Sequence, residues 1–391
     1  MKKHILRKCI AAAMAAIVCT TGLAGNVSAL EDVAAPSAVL MEAGTGKVLY
    51  EKNAHEKRPC ASITKVMTLL LVMEALDSGK IKLTDEVAAS AHAASMGGSD
   101  IWLEEGEVMT VDDLLKATVI MSANDAAVVL AEYVAGSEDD FVSQMNRKAQ
   151  ELGMKDTTFK NCNGLDEDGH LTSAYDVALM SRALISHEKI FDYTQIWMDS
   201  IRGGKTQLVN TNKLLKTYDG ITGLKTGTTG KAGSCMTATA ERGGMSLIAV
   251  VLGCTTTQER FDSAAQLLDY GFANWSCVDM ELPNLSPIPV TNGMVSEVAL
   301  QTQGNGSVSV LIPKGKEEKV ETKVSLPESV RAPVEKNQSL GKIEFVLEDE
   351  TLAAITITAK EQAEALTWQK CFWALLKRLC SFHAEISADG K

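Results

Sequence analysis

The sequence predicts an α+β fold: an antiparallel sheet flanked by helices, then a second, smaller all-β sandwich domain and a C-terminal amphipathic helix. Three observations carry this expectation. Strand-like hairpins stand at both ends of residues 30–280 with amphipathic helical stretches between them. After Pro283 the hydrophobic pattern changes to alternation in twos, and from Glu361 to His383 it returns to helical spacing. With 391 residues, 46% of them hydrophobic, the chain has enough apolar mass for one large core and a second smaller one.

Residues 1–29 begin with Lys2, Lys3, Arg7 and Lys8, continue through the apolar Ile10 to Val18, and end at Val27-Ser28-Ala29. This is the three-part pattern of a cleaved secretory signal and predicts an exported protein. A membrane-spanning anchor fits less well, because Thr20, Thr21 and Gly22 break a short apolar core. Losing four basic residues and no acidic ones takes the formal charge from −12 to −16, which argues against nucleic acid as a partner. The seven cysteines after the leader are scattered with no C-x-x-C pair, so buried free thiols are expected in preference to a disulfide framework. With no HExxH and no dense His/Cys cluster, neither a metal nor another cofactor is expected.

Within 30–280, Ser37 to Met41 and Lys47 to Tyr50 flank Ala43-Gly44-Thr45-Gly46 as a hairpin. Pro59 and Ser62 precede apolar residues at Val66, Leu69, Leu70, Met73 and Leu76, which predicts a helix from Ser62 to a stop at Gly79. A loop-rich span runs through Ser95 to Ser99, and Val111 to Met121 reads as helical. Ser122-Ala123-Asn124 is a polar break before a helix from Asp125 to Val134, because Ser, Asn and Asp compete for nearby backbone groups. Helices are expected over Phe141 to Leu152 and Ser173 to Ser186, with Asn161 to Asp168 as a loop between them. Ser234 to Ala240 and Met245 to Gly253 make a second hairpin, and a helix from Gln258 to Trp275 closes this part.

Leu285-Ser286-Pro287-Ile288-Pro289 reads as a linker into the sandwich, expected over 281–360. Its strands are marked by Val308, Val310, Ile312; Val320, Thr322, Val324, Leu326; Ile343, Phe345, Leu347; and Ile355, Ile357. In the 361–391 tail, Trp368, Phe372, Leu375, Leu379 and Phe382 share one arc while Lys370, Lys377 and Arg378 lie off its centre. Such a helix suits a membrane surface, or alternatively docking on its own domain, and it is too short and charged to span a bilayer.

The chemistry centres on Ser62 and Lys65, three positions apart and therefore on one helix face. A serine hydroxyl becomes a nucleophile when a base takes its proton, and a lysine serves once burial and nearby cations lower its pKa. Taken singly, Ser62 also reads as a helix cap, Ser122 as a cap, Asn124 as a turn former and Lys225 as a surface charge. Ser62-x-x-Lys65, Ser122-x-Asn124 and Lys225-Thr226-Gly227 nevertheless occur in that order, the first two about sixty residues apart.

Together these motifs resemble those of the penicillin-recognising serine enzymes. With the leader, the second domain and the tail, the chain resembles low-molecular-weight penicillin-binding proteins of the D-alanyl-D-alanine carboxypeptidase family. The resemblance implies Ser62 as the acylated nucleophile, Lys65 as its base and Ser122 as a proton relay to the leaving D-alanine. It implies that Asn124 holds a substrate amide and orients Lys65, and that Lys225 and Thr226 bind the terminal carboxylate. Gly227 would keep a side chain out of the substrate's way, and the amides of Ser62 and Thr228 would form the oxyanion hole. The implied partners are a peptidoglycan stem peptide, β-lactams as covalent inhibitors and, through the tail, the outer face of the cytoplasmic membrane.

Rival readings share the motifs. A class A β-lactamase needs a Glu-x-x-Leu-Asn element, whereas Glu151 is followed by Leu152-Gly153-Met154-Lys155. An endopeptidase cutting D-alanyl cross-links would use the same scaffold, and a noncatalytic wall-binding protein would keep the pocket without turnover. Gly204-Lys205-Thr206 has Asp199 where a P-loop needs glycine, and His170, beside Asp168 and Gly169, reads as a loop histidine, not a catalytic base.

Overall fold

The computed structural model describes residues 30, 32–302, 306–373 and 375–376; the leader and the end of the tail lie outside the described residues. The chain divides into two compact units, one ending at Trp275 and one beginning at Ser276.

In the first unit, β1 (Ser37–Glu42) and β2 (Val48–Lys52) form the expected hairpin, and the long helix α1 spans Lys65–Asp77. A small excursion the sequence did not reveal follows: β3 (Glu86–Ala88) pairs with β4 (Val108–Thr110). Three-residue strands are too short to show alternation. Next come α2 (Val111–Lys116), α3 (Asn124–Ala135), α4 (Glu138–Glu151) and α5 (Ala174–Ile185). A second hairpin, β5 (Met198–Ile201) with β6 (Thr206–Val209), precedes β7 (Ile221–Thr229), β8 (Gly233–Arg242), β9 (Met245–Cys254) and α6 (Thr257–Asn274). α6 opens with a full capping box, in which Thr256 and Glu259 satisfy each other's backbone amides.

The main sheet has the order β2-β1-β9-β8-β7. Residues distant in sequence meet at its centre, where Val39 lies opposite Val250 and Leu40 opposite Ala249 in antiparallel register. Alternation then sends Leu40 and Leu247 to one face and Val39, Val250 and Thr237 to the other. α6 covers the first face so closely that a Cβ on Gly271 would lie 2.5 Å from Leu247 Cδ1. α5 meets the second through a buried Ser181 to Thr237 hydroxyl contact of 2.9 Å. α1 is buried along almost its whole length, Lys65 included, so it is a core helix walled on all sides.

The second unit begins within β10 (Trp275–Glu281), at Ser276. Its strands are β11 (Ile288–Thr291), β12 (Glu297–Val298), β13 (Leu300–Thr302), β14 (Ser307–Pro313), β15 (Val320–Ser325), β16 (Val330–Arg331), β17 (Ser339–Leu347) and β18 (Glu350–Ala359). They make a four-stranded sheet β13-β18-β17-β15, a three-stranded sheet β12-β11-β16 and the pair β10-β14. One pair, β11 with β16, is parallel. The expected linker is therefore partly strand: Pro289 lies within β11, near the strand's start where a missing N–H costs little. The tail becomes helical only at Trp368, because Ala363 and Ala365 are bridged to Val334 and Gly293.

Candidate active site

Ser62 does not open the α-helix. It lies in a 3-10 turn, Ala61–Thr64, that runs directly into α1, and Ala61 has a left-handed backbone with φ of 51°. Two glycines allow this turn to be enclosed. A Cβ on Gly164 would overlap the Ala61 carbonyl, and one on Gly227 would lie 2.9 Å from both Cys60 O and Ser62 N. Gly227 thus serves close approach between β7 and the serine's own backbone. The cause is geometric: β7 is an edge strand laid against the turn.

Lys65 Nζ lies 3.0 Å from Ser62 Oγ. It also donates to Asn124 Oδ1 at 2.6 Å and to the Asn163 carbonyl at 2.7 Å. Burial pushes its ammonium down to about 7, against the opposing influence of Cys162, Asp100 and Asp125. Asn124 starts α3 after a π turn (Ala117–Met121) and is fixed by donation to Gly97 O at 2.6 Å. Ser122, between them, holds a left-handed φ of 65°, and its buried Oγ has no partner. A single π turn that leaves such a hydroxyl unsatisfied is a local irregularity of the kind found at functional sites.

Lys225 is 2% exposed, and its Nζ donates to Thr226 O at 2.9 Å. Burial, then the neighbouring Lys65 and Arg260, hold its ammonium well below the usual range. Burial, one of the two causes expected for Lys65, is the leading cause for both amines.

A cleft of about 210 Å³ opens here, lined by Ser62, Ser99, Ser122, Asn124, Thr226, Gly227, Thr228 and Arg260, among others. Thr226 and Thr211 share a 2.6 Å hydroxyl contact. Arg260 on α6 donates to Gly227 O at 3.1 Å and to Thr228 Oγ1 at 2.9 Å, and its buried Nε is unpartnered. Every site residue expected from the sequence therefore converges on one region. Arg260, Asn163 and Thr211 were missed. For Arg260 a signal existed, an arginine on the apolar arc of a helix beside Phe261 and Ala264. For Asn163 it was weaker, one asparagine in a loop rich in turn formers.

No carboxylate lines the cleft among the described residues. Glu151 sits at the end of α4, paired with Lys148. His170 is a loop residue, as expected, and it is buried: it accepts at Nδ1 from Lys160 N and contacts Thr64 Oγ1 at 2.8 Å through Nε2. Burial lowers its pKa to about 4, so it stays neutral and braces the turn.

A family model described as D-alanyl-D-alanine carboxypeptidase matches residues 24–256, and that of the penicillin-binding protein 5 C-terminal domain matches residues 284–365. The chain belongs to the D-alanyl-D-alanine carboxypeptidase family. Among named members, it is 45% identical to D-alanyl-D-alanine carboxypeptidase DacF of Bacillus subtilis over 84% of this chain and 85% of the relative. It is 38% identical to DacC of Escherichia coli over 86% and 87%. Penicillin binding protein 5 from Haemophilus influenzae superposes with a TM-score of 0.77 at 30% identity, covering 85% of this chain and 98% of that one. Penicillin-Binding Protein D2 from Listeria monocytogenes, solved in an ampicillin-bound form, gives 0.57 at 35% identity over 61% and 98%. The low-molecular-weight penicillin-binding proteins thus share both the fold and the carboxypeptidase family with this chain.

Proposed function

We propose that this carboxypeptidase-family chain is a serine enzyme that removes the terminal D-alanine from peptidoglycan stem peptides through an acyl-enzyme on Ser62. The carrying observation is the 3.0 Å contact between Ser62 Oγ and Lys65 Nζ, with that amine sealed from water and partly neutral near pH 7. Ser62 Oγ attacks the carbonyl carbon between the two D-alanines while its proton passes to Lys65. The amides of Ser62 and Thr228 hold the oxyanion, Thr228 on an edge strand with half its amides turned from the ladder. Ser122, whose hydroxyl lacks any other engagement, passes a proton to the departing D-alanine nitrogen. Water then hydrolyses the ester.

The carboxylate of the last residue is held by Thr226, Thr228 and Arg260 in the cleft wall. Its charge stabilises the protonated form of Lys225, which acts from behind the wall. Asn124 orients Lys65 and offers an amide to the substrate backbone. β-Lactams, which present a strained amide and a carboxylate to the same groups, acylate Ser62. Among the described residues no carboxylate lines the cleft, which disfavours the β-lactamase reading, since rapid deacylation by a class A route needs one.

The protein acts outside the cytoplasm, carried there by the 1–29 leader. Its tail, where Trp368, Phe372, Trp373 and Leu375 are exposed, rests on a membrane surface. The proposed division is leader 1–29, catalytic domain 30–280, β-domain 281–360 and tail 361–391. Release of D-alanine from diacetyl-Lys-D-Ala-D-Ala tests the reading, as does a covalent penicillin adduct by intact mass. Both are expected in the native enzyme and absent in Ser62→Ala; their absence from the native enzyme would overturn it.

A further inference from the structure

A largely exposed indole stands close along the chain to the cleft wall. Trp102 is 76% exposed, although both its neighbours, Ile101 and Leu103, are buried. Its backbone has a left-handed φ of 55°, and the segment is tightly held. The amides of Ile101 and Leu103 donate to the buried carboxylate of Asp125 at 3.1 and 3.0 Å. Arg202 fixes the other side, donating to Ile101 O at 2.8 Å and to Glu107 at 2.6 and 3.0 Å. This segment also supplies Gly98 and Ser99 to the cleft wall, so Trp102 lies within about 10 Å of chain from it.

The indole borders a second, open cavity of about 560 Å³ with Glu104, Glu105, Gly106, Glu107 and Arg202. Arg202 is consumed by Glu107, and Glu104 and Glu105 make no ion pair among the described residues. A rigid aromatic face with unpaired carboxylates beside it is complementary to an ammonium on an aliphatic stem. A neutral sugar would use the face but gain nothing from the excess negative charge.

We infer that Trp102, with Glu104 and Glu105, forms a subsite for the free side-chain amine of the diamino residue preceding the two D-alanines. The inference rests on the carboxypeptidase reading above and names a specificity element for it. The amine packs over the indole while the carboxylates neutralise it, and the reacting groups at Ser62 are untouched. Acetylating that amine removes both attractions and leaves the D-Ala-D-Ala end unchanged.

Two tripeptides, Nα-acetyl-Lys-D-Ala-D-Ala and its Nα,Nε-diacetyl form, test this in the full chain by kcat/KM. The native enzyme is expected to favour the free amine by about tenfold, as a cation–π contact with carboxylate support allows. Trp102→Ala and the double change Glu104→Gln with Glu105→Gln are expected to bring the ratio to about one with the diacetyl rate unchanged, and Trp102→Phe to retain most of the preference. Equal rates in the native enzyme overturn the subsite while leaving the carboxypeptidase reading intact. So does a preference that survives Trp102→Ala, or a loss of both rates together in that variant, which would mark the indole as support for the cleft. Hydrolysis of neither substrate overturns both.

Discussion

Acylation of Ser62 depends on a neutral Lys65, and its pH profile follows from where that amine titrates. An ordinary lysine, with a pKa of 10.5, is neutral in roughly three molecules in ten thousand at pH 7. Burial brings Lys65 to about 7, so about half carry a free base. The gain is on the order of a thousandfold, or about 4–5 kcal/mol of proton affinity given up to the buried site. Acylation by benzylpenicillin, followed by stopped-flow fluorescence from pH 5 to 9, is expected to rise about tenfold per pH unit below 7 and level off above it. Asp100 favours the charged amine, so Asp100→Asn moves the acid limb to lower pH. Lys65→Arg, permanently charged, is expected to lose at least about a thousandfold. A flat profile, a limb near pH 10, or near-native acylation in Lys65→Arg would refute the reasoning.

Gly227→Ala places a methyl 2.9 Å from Ser62 N and Cys60 O, displacing an oxyanion donor, and acylation is expected to fall about a hundredfold or more, with a lowered thermal midpoint because backbone must shift to admit the methyl. Asp125→Ala strands the amides of Ile101 and Leu103 in a buried setting, and urea unfolding should show a loss of about 2–4 kcal/mol. His170 has a folded pKa of about 4 against an ordinary 6.5, so the unfolded chain binds the extra proton between those values. Its stabilising effect is present above pH 6.5 and lost as pH falls through 4, about 3 kcal/mol in all, and His170→Gln should flatten unfolding free energy against pH across that window.

Local rules served where the local signal was strong. The two hairpins, the core helix after Ser62 and the helices of residues 138–185 came within a few residues of the observed elements, because period and capping are properties of short segments. The break at Ser122 was legible for the same reason: three residues that prefer turns interrupt an apolar series, and the chain there turns left-handed. What local rules missed were elements held by distant partners. β3 and β4 exist because they pair with each other, and the helical tail starts late because Ala363 and Ala365 are bridged to the distant Val334 and Gly293.

The sequence by itself determined the fold class and three motifs whose order identifies the chemistry, since periodicity and side-chain type are written residue by residue. Only the tertiary structure decided that Ser62 sits on a 3-10 turn, that Gly227 yields to the serine's backbone, and that Arg260 joins the cleft. It also decided that burial, more than neighbouring charge, makes a base of Lys65. The physical reason is that desolvation and close approach are set by what packs around a group, and those neighbours come from segments scores of residues away.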